Sequence, residues 1–203
     1  MIESSRKLAL AGAEFFICPA NTNHVVFERV RDAVVIPWLH IASVVGERAA
    51  NLGCKRTLLL GTRTLMQSKV YDPFFDAKGI ELRLPEAAEQ EEVNRMIYDE
   101  LVRGKVVASS KTYVERLIDR YADQQQCDSV VLGCTELPLL VPDVKGSLSV
   151  LDSTRLVAHG AIGFSLGMSL GEVERLITNR GTTERPAAVC GIGNFRGGRS
   201  RSS

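Results

Sequence analysis

The feature that most constrains this chain is a rhythm. Short apolar runs alternate with longer stretches whose apolar positions recur at helical spacing. An apolar run bounded by turn residues suits a strand covered on both faces, and a helix between two such strands returns the chain for parallel pairing. The rhythm therefore predicts an α/β fold with largely parallel sheets. A helix over 4–11 is expected to end near Gly12, followed by a strand at "EFFIC". "HVVFERVRDAV" has helical periodicity, with Val26, Phe27 and Val30 on one side, and "IASVVGERAANLG" is a second helix closed by Gly53. "RTLLLGT", "IELRLP" and "DSVVLGC" read as strands, separated by a helix opening at "TLMQSKVYDPFF" and by two long helices over 86–103 and 109–126. "SVLDSTRLVAHGAIGFSLG" supplies a final strand and helix, and the Gly/Arg/Ser-rich end of the chain is expected to be a disordered tail.

Charge and composition exclude several function classes. Lys+Arg number 25 against Asp+Glu 24, a net charge of +1, so no general field draws nucleic acid or an anionic membrane. No apolar run approaches the roughly 20 residues needed to span a bilayer, and a cytoplasmic protein is expected. The five cysteines, Cys18, Cys54, Cys127, Cys134 and Cys190, lack CxxC spacing, which argues against a disulfide framework or a zinc site. His24, His40 and His159 stand apart without metal-ligand spacing, so no metal is expected.

Two stretches share a layout. "FFICPANTNH" and "VVLGCTELPLL" each run an apolar strand into a tight turn of small hydroxyl or amide residues. Ligands of parallel α/β sheets gather at the carboxyl ends of strands, where free N–H groups receive anions. Asn21-Thr22 and Thr135-Glu136 stand at such ends, and two such corners facing each other would frame a cleft. Only the second carries a thiol at its corner. Cys134, at a strand-to-helix turn, would feel the positive end of a helix dipole, which favours thiolate.

Five blocks, "CPANTNH", "LLLGTRTLMQSKVY", "VNRMIYDELVRGKV", "VVLGCTELPLL" and "LDSTRLVAHGAI", together resemble the aspartate/glutamate racemase family, in family order over roughly residues 10–165. Glu136 after Cys-Thr resembles the aspartate racemase branch. The resemblance implies two pseudo-symmetric, doubly wound, mostly parallel-sheet domains with the active site between them. It implies cofactor-independent chemistry in which one cysteine removes the α-proton of an acidic amino acid and a second returns a proton to the opposite face. An acid and a base on opposite sides of the carbon are what inversion by proton transfer requires. It places Cys134 in catalysis and Asn21, Thr22, Thr62, Thr135 and Glu136 in substrate binding, with Lys105 holding the distal carboxylate. The implied partner is a small acidic amino acid or dicarboxylate, and a homodimer is expected. On this plan residues 1–40 are the remnant of the first half-domain and 41–147 the second. Residues 148–177 pack back on the first half, and 178–203 are the tail.

The chain departs from the family pattern in two places. The residue before Asn21, a cysteine in the family's typical pattern, is Ala20, and a methyl group neither donates nor accepts a proton. Cys18 lies two residues away, about 6–7 Å along an extended chain, too far to substitute. Only about a dozen residues precede "EFFIC", where the family opens with a further strand and a glycine-rich turn, so the first half-sheet is expected to be incomplete. The departures leave three expectations: a racemase impaired at one thiol, a single-cysteine decarboxylase or isomerase of small dicarboxylic acids, or a dicarboxylate-binding homologue without turnover.

Overall fold

The computed structural model describes residues 1–141, 148–169 and 172; the expected tail and Cys190 lie outside them. After helix α1 (Ile2–Leu10), strand β1 (Phe16–Ile17) leads into a 3-10 helix over Asn21–Val26 and a single turn, α2 (Phe27–Val30). Strand β2 (Trp38–Leu39) pairs parallel with β1 and is followed by α3 (Ile41–Asn51). Strand β3 (Arg56–Leu60), short helices α4 (Arg63–Met66) and α5 (Asp72–Asp76), and strand β4 (Glu81–Arg83) come next. The long helical stretch is α6 (Ala87–Arg95), a widened π turn over Met96–Glu100, and a 3-10 turn over Leu101–Arg103. Helix α7 (Ala108–Gln125), strand β5 (Ser129–Leu132), α8 (Leu137–Leu140), β6 (Ser149–Asp152) and α9 (Ser153–Ser165) complete the order.

The mixed α/β class with parallel sheets agrees with the rhythm of the sequence. β1 and β2 form a two-stranded sheet; the other strands form a four-stranded sheet in the order β4-β3-β5-β6, every pair parallel. The side-chain alternation of a strand explains how both faces are filled. Leu58 and Leu60 of β3, with Val130 and Leu132 of β5, pack against Val93 and Ile97 and against Val114 and Ile118 of α7. Leu59 and Val131, one residue out of phase, pack on the opposite side against Ile41 and Val45 of α3 and Val157 of α9. A third, smaller cluster joins Phe16 of β1, Trp38 of β2 and Cys18. Among the described residues no helix is long and apolar enough to cross a membrane.

Three local expectations changed. The helix expected across "HVVFERVRDAV" is a 3-10 segment and one α turn, since two Asn, a Thr and paired valines favour local turns and strands over α-helix. The helix expected behind β3 is split into α4 and α5, with Pro73 in the first turn of α5, where its missing N–H costs nothing. Strand β2 went unanticipated: "WL" is too short a run to announce itself, and it is held by Phe16 N–H donating to the Pro37 carbonyl (2.9 Å).

The sheet order positions the site. From β3 the chain goes to β4 on one side and then returns past β3 to β5 on the other, so the carboxyl ends of β3 and β5 form the reversal point where α/β sheets open a crevice. The two ends come unusually close. Gly133 N–H donates to the Leu60 carbonyl at 2.7 Å, and a Cβ on Gly133 would lie 2.8 Å from that oxygen. Glycine is required there, and it sets Thr62 and Cys134 side by side.

Candidate active site

Both corners open on one cavity of about 150 Å³. Ala20, Asn21 and Thr22 of the first corner line it; Thr62 and Gly133 to Glu136 line it from the four-stranded sheet. Ile97, Tyr98 and Val102 close a third side. Of the residues expected to act, Cys134, Asn21, Thr22, Thr62, Thr135 and Glu136 are therefore brought together, with Ala20 in the position beside them. Lys105 is not among the lining residues: it is exposed beyond Gly104, whose left-handed φ of +72° turns the chain so that Lys105 N–H meets the Glu100 carbonyl at 3.0 Å. Cys18 is absent from the lining too; it is buried beside Phe16 and Trp38, with Asn23 Nδ2 at 3.5 Å from its sulfur.

The first corner is clamped to the sheet by its polar side chains. Asn21, only 2% exposed, accepts from the Tyr71 hydroxyl on Oδ1 (2.6 Å) and donates from Nδ2 to Ser153 Oγ (2.9 Å). Ser153 passes its own proton to the Leu132 carbonyl at the end of β5 (2.8 Å). Thr22 and Thr62 share a hydrogen bond between their hydroxyls at 2.9 Å, while Thr62 Oγ1 also accepts from Leu65 N–H and caps α4. Asn21 keeps one N–H for a ligand. Tyr71 and Ser153 are the site's supporting residues that sequence reasoning missed. Both lie inside quoted blocks, and a polar residue directly after an apolar strand, as Ser153 is, was the available signal.

The second corner carries the thiol. Cys134 is 9% exposed, and its Sγ–H donates to Glu136 Oε2 at 2.9 Å; Thr135 Oγ1 donates to the same oxygen at 2.6 Å. Burial first, and the hydrogen-bonded carboxylate second, push the Cys134 thiol up to about 12. The expected thiolate is thereby corrected to a resting thiol. The backbone donors of Glu136 and Leu137 favour the anion, but α8 is a single turn of four residues and its weak field loses to an adjacent negative charge. Burial opposes the Glu136 charge as well, yet hydrogen bonds from Cys134, Thr135 and its own backbone N–H hold its carboxyl below the ordinary glutamate value. The pair is a protonated thiol against a carboxylate.

A profile of the Asp/Glu/hydantoin racemase family matches residues 1–161. The chain belongs to the Asp/Glu/hydantoin racemase family. Its sequence is 24% identical over 162 residues to the broad specificity amino-acid racemase RacX of Bacillus subtilis (strain 168), covering 80% of this chain and 69% of that protein. Its fold is similar to the crystal structure of an aspartate racemase homologue from Pyrococcus horikoshii OT3, with a TM-score of 0.73 and 36% identity over 81% of this chain and 72% of the other. The aspartate racemase of Picrophilus torridus shares the fold at a TM-score of 0.65 and 23% identity, over 84% and 70% of the two chains. Within this racemase family fold, the thiol–carboxylate pair and the neutral donors lie at the reversal point of the sheet.

Proposed function

We propose that this chain exchanges the α-proton of an amino acid through Cys134, on one face of the α-carbon, and that Ala20 impairs inversion. The observation that carries the proposal is a single thiol, hydrogen-bonded to a carboxylate, in a cavity otherwise supplied with neutral hydroxyl, amide and backbone donors. Family membership and the naming of RacX as a broad specificity amino-acid racemase support an amino acid as substrate. In the cycle, the Cys134 proton leaves to solvent, the thiolate takes the α-proton, and the resulting carbanion is held by the substrate carboxylate's contacts with Thr22 and the remaining Asn21 N–H. The thiol then returns its proton to the same face, and solvent reprotonates the thiolate at the end. Glu136 stays ionised throughout: a substrate ammonium beside it offsets the negative charge that helps to raise Cys134, and so favours the thiolate. No cofactor enters this scheme, and a cytoplasmic homodimer is part of it on sequence grounds.

A dicarboxylate decarboxylase or isomerase would use the same resting thiol, but it needs a cation for its second carboxylate, and none lines the cavity among the described residues. The test is incubation of each enantiomer of an amino acid in deuterated water. Loss of the α-hydrogen signal with configuration retained is expected, and the Cys134→Ala protein should lose at least about 100-fold of that rate. Racemisation of both enantiomers at equal rates would sink the one-face reading, and absence of exchange in the native chain would remove catalysis altogether.

A further inference from the structure

The family expectation of an aspartate- or glutamate-like substrate requires a positive group for the distal carboxylate. The cavity provides the opposite. Among the described residues its one lining group charged near neutrality is Glu136, which the hydrogen bonds from Cys134 and Thr135 keep anionic. Among the described residues no Lys, Arg or His lines it. The arginines nearest in sequence to the lining each have a carboxylate beside them, the Arg103 pair being an exposed and weak one. Arg63, next to Thr62, pairs with Glu91 at 2.6 Å, Arg95 with Glu92 and Glu100, and Arg103 with Asp99 at 3.7 Å.

The wall opposite the two corners is apolar. Ile97 and Tyr98 come from the widened π turn and Val102 from the 3-10 turn after it. Tyr98 and Val102 are 51% and 57% exposed, so an apolar group entering the cavity removes their surface from water. A distal carboxylate there would find no cation among the lining residues and share a small cavity with Glu136.

We infer that the site takes an α-amino acid with an uncharged, apolar side chain, its ammonium facing Glu136 and its side chain against Ile97, Tyr98 and Val102. This specificity rests on the α-proton exchange proposed above for the orientation of the ammonium and carboxylate, and is tested by binding so that the two stand or fall separately.

The experiment measures binding of leucine, methionine, aspartate and glutamate to the intact chain by calorimetry, with α-hydrogen exchange of the same amino acids in deuterated water. Leucine or methionine is expected to bind roughly tenfold or more tightly than either acid, and Val102→Lys to reverse the order. Acids binding as tightly as leucine in the native chain, or a Lys105→Ala protein that loses aspartate while keeping leucine, would overturn the inference. Leucine bound without exchange sinks the catalytic proposal and upholds the specificity. Aspartate exchanged faster than leucine does the reverse, and an unbound panel overturns both.

Discussion

The corner at Ala20-Asn21-Thr22 and the corner at Cys134-Thr135-Glu136 look alike in sequence, yet the structure gives them different work. The first follows a strand of two residues in a two-stranded sheet, and its polar side chains are spent on Tyr71, Ser153 and Thr62. The second follows β5, an interior strand whose Val130 and Val131 are fully buried, and its polar side chains gather on one carboxylate oxygen beside the thiol. A weak sheet is held in place by hydrogen bonds to a strong one, and the strong one keeps the reactive group. The similarity that the sequence displays is one of backbone layout; the division of labour lies in which side chains have partners inside the protein.

The largest effect expected from disturbing this division is in Ala20→Cys. Ala20 is exposed at the cavity, so a sulfur fits without repacking a core. A second acid/base on the first corner should raise inversion by roughly 10²–10⁴-fold over the native chain, read by chiral chromatography. If inversion does not rise while exchange persists, the first corner is a clamp only, and its position does not serve the far face of the α-carbon.

Next in size is a difference in acid tolerance. The first corner rests on a histidine pair: His24 and His40, 2% and 6% exposed, have ring centroids 4.4 Å apart, and His24 Nε2 lies 3.0 Å from the Cys18 carbonyl. Burial lowers His24 from 6.5 to about 4, against the pull of that carbonyl. Burial and then the charge of His24 lower His40 to about 3. Both are neutral when folded and take up protons below 6.5 when unfolded. Their stability contribution is therefore complete above pH 6.5 and is lost as pH falls towards 4 and then 3, about 3 kcal/mol for His24. Trp38, the only tryptophan of the chain, stands 4.7 Å from His24 and stacks on Phe16 at 5.4 Å, so its fluorescence reports this corner alone. In acid the Trp38 signal is expected to change before the circular dichroism of the four-stranded region does. Coincident transitions, or an unchanged order in a His24→Gln, His40→Gln protein, would show the corners to be one cooperative unit.

The same contrast explains how far the sequence could be followed. β3, β5, α3 and α7 were legible because buried apolar runs and 3.6-residue periodicity are strong local signals, and Gly53 at φ +74° ends α3 as expected. The strand expected at "EFFIC" is β1, but β2 and the 20–36 region were not legible, since elements this short are fixed by tertiary contacts such as the stacking of Phe16 on Trp38. At the site, Cys134, Thr135 and Glu136 stood out because hydroxyl, thiol and carboxylate groups at a strand end have few purely structural uses. Ile97, Tyr98 and Val102 could not stand out. Apolar residues on an expected helix look like core, and only the π turn over Met96–Glu100 and the 3-10 turn after it, invisible to a 3.6-residue pattern, set them against the cavity.

The smallest effect belongs to Glu136→Gln, and it bears on why the second corner holds a thiol and not a thiolate. Burial is the leading cause of the Cys134 rise, followed by the hydrogen bond to Glu136, with its charge adding to both. Glutamine keeps an acceptor of the same length for Sγ–H and removes only the charge. The thiol should then titrate below its present value of about 12 yet above the ordinary 9.0, because the burial remains; a drop of about one unit corresponds to roughly 1.4 kcal/mol. The rate of Cys134 alkylation against pH, followed on its own peptide by mass spectrometry, separates it from the buried Cys18, Cys54 and Cys127. An unchanged profile would mean that desolvation alone protonates the thiol, and a substrate ammonium at Glu136 would then have no leverage on it. A profile that falls by the expected unit, in a protein that nevertheless exchanges α-protons more slowly, would show the carboxylate acting twice: as the charge that keeps the thiol at rest and as the partner of the substrate ammonium that offsets that charge.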